Sequence, residues 1–167
     1  METQERGAVD TRLSPDRVWG AIRKKSFAVL GYVTPTGEPR SSGVVYTTEG
    51  GRLYVAVAPD SWKARHIAPH GRVAVTIPVR RGGVLSLVAP IPPATISFHG
   101  IATVHRPGTP ETQSLLERLG ALLPPERRTT ACVIEIRPEG EFVTYGLGVP
   151  LMKMRNPAAA RGRARVR

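Results

Sequence analysis

The sequence predicts a mainly β domain, a barrel or a sandwich with a few helices around it. Short stretches of alternating apolar and polar residues recur, separated by turn clusters such as Pro35-Thr36-Gly37-Glu38-Pro39 and Thr48-Glu49-Gly50-Gly51. These connections are too short for crossovers, so the strands they join run antiparallel. Glycine and proline are frequent, 17 and 16 of 167 residues, which suits many turns rather than long helices. The alternating strand–helix units of a parallel sheet are absent, as are GxGxxG, P-loop and GxSxG patterns and any internal repeat.

Residues 1–13 read as a disordered N-terminus. Ser14-Pro15-Asp16 then opens a helix, with Ser14 as N-cap, Pro15 in the first turn and Asp16 at the positive end of the dipole. Leu13 and Val18 stand where a hydrophobic staple would, Val18, Trp19 and Ile22 form an apolar stripe, and Arg23-Lys24-Lys25 closes the last turn. Strands are predicted at 27–34, 39–47 and 52–57. Ser61 caps a short helix, 62–69, that ends near Gly71. Strands at 72–79 and 94–106 follow, joined by an irregular or partly extended approach over 80–93. Thr109-Pro110-Glu111 starts another helix, with Leu115, Leu116, Leu119, Leu122 and Leu123 facing a core. Two strands, 129–138 and 141–148, close the domain. Cys132 shares a face with Ile134 and Ile136, so it is read as packed rather than reactive.

The chain carries 24 basic and 13 acidic residues, and its charge is unevenly placed. The stretch 153–167, KMRNPAAARGRARVR, has basic residues and no acid, so much of the basicity is local. It is read as a solvated basic C-terminal tail after a folded domain over 14–152, not as a nucleic-acid-binding segment. No apolar run approaches the roughly 20 residues of a membrane helix. The N-terminus lacks the apolar core of a secretory signal. One cysteine excludes an internal disulfide and suits a reducing, cytoplasmic setting. His66 and His70 stand at i, i+4, but two ligands without a carboxylate or thiol are no metal site, and none is expected.

Chemistry is most concentrated at PDSWKARH, 59–66. A helix start offers unpaired N–H groups and a partial positive charge. Ser61 adds a hydroxyl, and Lys63 and Arg65 add cations. Arg40 and Ser42, on strand 39–47, would lie nearby if that strand borders the helix start. On these residues alone, the stretch is either a phosphate cradle or a capped, solvated helix end.

The order of these pieces resembles the flavin-binding split-barrel family related to pyridoxamine 5′-phosphate oxidase. The likeness rests on the first hairpin (Ala28, Leu30, Val33, Gly37, Pro39), on RSSGVVY, on RLYVAVAP and on SWKARHIAPHGRVAV. It covers residues 14–106 well and continues more loosely to about 148. It implies a six-stranded antiparallel split β-barrel with a few flanking helices. It also implies a homodimer, with FMN in a groove between subunits; from composition the protein is expected to be cytoplasmic, with no membrane partner and no nucleic-acid partner. Carried over by position, Arg40, Ser42 and Val44 would line the flavin from strand 39–47. Ala58, Ser61, Lys63 and Arg65 would meet its phosphate, and Trp62 would stack on a ring or pack under the helix. The oxidase has an Arg-Lys pair where this chain has Trp62-Lys63, so Arg65 would have to replace one cation. The oxidase's C-terminal substrate motif of Trp and Arg is also missing, since no Trp follows Trp62. Oxidation of pyridoxamine phosphate is therefore not expected.

Relatives in this group use FMN, the 8-hydroxy-5-deazaflavin coenzyme or haem. The resemblance thus leaves three readings open. The first is hydride transfer at a flavin to a small molecule; the second, a deazaflavin-dependent reductase; the third, a non-catalytic cofactor- or haem-binding protein. For the dimer, the apolar faces of 96–104 and 131–136 are expected to meet across a two-fold axis.

Overall fold

The computed structural model describes residues 11–81, 83, 91–120 and 123–166. The reading of 1–10 as disordered, most of the approach at 82 and 84–90, and Leu122 lie outside those residues. The structure is mainly β and antiparallel. In chain order it comprises β1 (Thr11–Arg12), α1 (Pro15–Arg23), β2 (Phe27–Val33), β3 (Pro39–Val45), β4 (Thr47–Glu49), β5 (Arg52–Val57) and α2 (Trp62–His70). After these come β6 (Arg72–Val79), β7 (Ala94–His105), α3 (Pro110–Arg118), β8 (Cys132–Tyr145), α4 (Pro157–Ala160) and β9 (Arg161–Arg165).

One curled sheet runs β3-β2-β6-β7-β8, and β8 then serves two neighbours on its other side. Residues 132–136 of β8 pair with β5, and residues 141–145 pair with β9. The curl brings β3 near β5, with Cα atoms within 8 Å, yet the two strands do not hydrogen-bond. The barrel is therefore split between β3 and β5. Inside it, Leu30, Leu53, Ile67, Ile77, Ile96, Ile134, Ile136 and Phe142 are buried almost completely. α1 closes one end with Val18 and Ile22, and Trp19 meets Phe142 edge-on at 5.4 Å. Tyr46 is buried beside α1 and donates to the Ile22 carbonyl at 2.8 Å; burial pushes its phenol pKa far up. A smaller core lies on the opposite face of β5 and β8, where Leu116 and Leu119 pack on Tyr54, Ala131 and Val133.

The helix signals act as the sequence indicates. Ser14, Ser61 and Thr109 each accept from the backbone three residues on, capping α1, α2 and α3. Gly71 ends α2 at φ 65°, a conformation that glycine adopts without penalty.

Several expectations are corrected. Among the described residues there are nine strands rather than six, two of them only two or three residues long. The stretch 39–47 divides at Tyr46 into β3 and β4. The segments 129–138 and 141–148 are not two strands joined by a turn but the single strand β8. At its middle Gly140 takes φ 70°, and the register against β7 slips between Ser97 and His99. Pro-Glu-Gly thus makes a bulge and a bend, and the chain keeps its direction. The stretch 153–167 is not simply a solvated end, because Arg161–Arg165 is strand β9, antiparallel to β8 and parallel to β1. Its RGRAR alternation places Gly162 and Ala164 inside and the arginines outside.

The dimer faces are corrected as well. Ile96, Phe98, Ala102, Ile134 and Ile136 line the barrel interior, buried against one another rather than presented to a partner. The exposed apolar residues of the strands, Phe27, Val29, Val33, Val45 and Val143, belong to the outer face instead. Phe27 stands opposite Val45, and Val29 stands opposite Gly43 and Thr76. Val143 continues the same face on β8, opposite Ser97. Among the described residues, no helix is long and apolar enough to cross a membrane.

Candidate functional site

The split between β3 and β5 holds a cavity of about 360 Å³, within the roughly 300–1,000 Å³ range of small-ligand sites. Gly43, Val44 and Val45 form one wall, and Val55, Ala56, Val57 and Ala58 form the other. Among the described residues, β3 pairs only with β2, and residues 55–57 of β5 pair only with β8. Each wall is thus a strand with one free backbone edge, a source of N–H and C=O groups for a ligand. Ser61 and Lys63 stand at the start of α2. Leu119, Leu123, Pro124 and Arg127 complete the lining from the segment after α3.

The polar side chains of this lining are a serine, a lysine and an arginine, with no acid among them. Ser61 Oγ accepts from Ala64 N at 3.2 Å, which leaves its own proton free to donate. The amides of Trp62 and Lys63 precede the first intrahelical donor of α2, Arg65 N, which donates to Ser61 O at 3.2 Å. Neither Lys63 nor Arg127 forms an ion pair with any described residue. Apolar walls with an unbalanced positive end suit a planar ligand that carries an anion. A flavin phosphate meets that description.

The structure divides the predicted site residues. Val44, Ala58, Ser61 and Lys63 share this cavity. Arg40, Ser42 and Val44 do lie on one face of β3, opposite Tyr32, Leu30 and Ala28. Arg40 nevertheless lines a second cavity of about 580 Å³, with Tyr32, Thr34, Glu38, Trp62 and His66. There it pairs with Glu38 at 2.9 Å, and both side chains are more than half exposed. Ser42 lines neither cavity, and its Oγ is buried with no hydrogen-bond partner among the described residues. Trp62 is 66% exposed. Its ring lies 5.5 Å from that of His66 and carries the Arg65 guanidinium at 5.0 Å. Arg65 also donates to the Asp60 carbonyl at 3.0 Å and lines a third cavity beside Arg106 and Cys132. Burial pushes the Cys132 thiol pKa up, against a smaller opposing pull from Arg106. Leu119, Leu123, Pro124 and Arg127 were missed from sequence. They reach the site from more than fifty residues away, and no local pattern marks them. Among the described residues, no group of three or more His, Cys, Asp or Glu is placed to hold a metal ion.

The fold is shared with several solved structures. HutZ, the heme storage protein from Vibrio cholerae, matches at TM-score 0.64 and 13% identity, over 82% of this chain and 97% of that one. An F420 reductase matches at TM-score 0.55 and 17% identity, over 74% and 93%. A putative pyridoxamine 5′-phosphate oxidase from Listeria innocua matches at TM-score 0.56 and 19% identity, over 74% and 92%. The fold is thus the split barrel that the sequence resemblance implied. No protein-family model and no curated protein matches the chain.

Proposed function

We propose that this protein binds a phosphate-bearing flavin, FMN or the 8-hydroxy-5-deazaflavin coenzyme, in the split between β3 and β5. We further propose that it works as a cytoplasmic, homodimeric oxidoreductase on a small molecule. The observation that carries this reading is the lining itself: apolar walls from two strand edges, joined by Ser61, Lys63 and Arg127, with no acid among the lining residues. When bound, the flavin ring supplies the site that takes or gives a hydride. The chain's own residues bind and orient. Lys63 and the Ser61 hydroxyl would hold the anionic end, in the field of the α2 N-terminus. Val44, Val55 and Val57 would keep water from one side of the ring. The exposed outer face around Phe27, Val29 and Val45 supports the dimer. Likeness to an F420 reductase and to a putative pyridoxamine 5′-phosphate oxidase supports a flavin-type ligand, without choosing between the two.

A haem-binding reading draws on the likeness to HutZ and on His66. That imidazole has a buried, unpartnered Nδ1 beside the Trp62 and Tyr32 rings. One experiment separates these readings. The purified protein is mixed in turn with FMN, the deazaflavin coenzyme and haem, passed through a desalting column, and its absorption spectrum recorded. Co-elution of a flavin or deazaflavin band supports the proposal. Retention of haem alone supports the second reading, and a colourless protein in all three cases overturns both.

A further inference from the structure

We infer that Arg127 is the second cation of the anion site, in the role that the sequence resemblance would have given to Arg65. This rests on the proposed flavin reading and specifies which residues hold the anionic end. Arg65 is engaged elsewhere: it donates to the Asp60 carbonyl, lies over Trp62 and faces a different cavity. Arg127 lines the same cavity as Ser61 and Lys63, and its side chain has no hydrogen-bond or ion-pair partner among the described residues.

Its position is held from both sides. Leu119, 2% exposed, anchors the start of the segment in the smaller core, and Ala131, also 2% exposed, anchors its end. Between them Pro124 and Pro125 restrict the backbone. A short turn of helix over Pro125–Arg127 is closed by Arg127 N donating to Pro124 O at 2.9 Å, and Ala131 N donates to Arg127 O at 3.1 Å. The neighbouring Arg128 is used within this turn, donating to the Leu123 carbonyl. Arg127 thus has no side-chain partner among the described residues, sits on an anchored support and lines the same cavity as Lys63. A phosphate bound there would accept from both cations. The forked guanidinium suits two phosphate oxygens at once.

The test compares FMN with riboflavin, which lacks the phosphate, by quenching of flavin fluorescence. Wild type, Lys63→Ala, Arg127→Ala, Arg127→Lys and Arg65→Ala are titrated, and the melting temperature of each is recorded. Arg127→Ala should weaken FMN about ten- to a hundred-fold, with riboflavin binding and melting temperature unchanged. Arg127→Lys should recover part of the loss, and Arg65→Ala should match wild type. If Lys63→Ala loses FMN while Arg127→Ala does not, this inference fails and the flavin reading stands. Equal loss of both ligands in Arg127→Ala also overturns it, because the arginine would then shape the slot rather than hold the anion. If wild type binds neither ligand, the flavin reading fails and this inference with it.

Discussion

Phe27 gives the sharpest test of assembly. It is 48% exposed on the outer face, where its ring lies over Gly43 and its strand partner is Val45. An aromatic side chain buries roughly 150–250 Å², so about 100 Å² of apolar surface remains uncovered in the monomer. Covering it contributes about 2.5 kcal/mol at about 25 cal/mol per Å². A two-fold interface uses the residue twice, which makes about 5 kcal/mol per dimer. Phe27→Ala should therefore weaken dimerisation about a thousand-fold or more. The folded monomer should change little, because the side chain leaves the surface rather than the core. Sedimentation equilibrium across a concentration series reads the first effect, and urea unfolding of the dilute monomer reads the second. A wild-type protein that stays monomeric at micromolar concentration would refute the reasoning. So would a Phe27→Ala dimer as tight as wild type.

Two further predictions concern the barrel. Thr144 is 1% exposed and its hydroxyl has no partner among the described residues; Thr144→Val should raise stability by about 1 kcal/mol in urea unfolding, whereas Thr144→Ser should lower it. Ending the chain at Ala160 removes β9, which pairs with β8 along 141–145 and buries Gly162 and Ala164. At about 1 kcal/mol per ladder hydrogen bond, the truncated protein should lose several kcal/mol and melt well below the full chain. An unchanged melting temperature would mean that the strand contributes no stability.

Much of the fold is legible in the sequence because its signals are local. The caps at Ser14, Ser61 and Thr109 mark helix starts through their own hydrogen bonds to the next turn. The alternation in β2 and β6 marks strands through period-two burial. Two elements escaped for identifiable reasons. Pro138-Glu139-Gly140 has turn chemistry, but only pairing with β7 decides that it bends a strand instead of reversing it. In RGRAR the inward residues are Gly and Ala, too small to give an apolar period, and β8 supplies what they pack against. The site divides in the same way. Ser61 and Lys63 stand out because a capped helix start is a local feature. That Arg127 reaches the cavity lined by Lys63 is set by tertiary contacts between segments far apart in the chain, whereas Arg65 turns to Trp62 and Asp60 on its own helix start.

The most direct test of anion capture in the split is the ratio of FMN to riboflavin affinity in wild type and in Lys63→Ala, measured by isothermal titration calorimetry at fixed ionic strength. A lysine–phosphate hydrogen bond contributes about 1.5–3 kcal/mol. Wild type should therefore prefer FMN, and Lys63→Ala should lose about ten- to a hundred-fold for FMN while binding riboflavin as before. Equal FMN affinity in the two proteins would contradict the claim and leave α2 with a capped, solvated start.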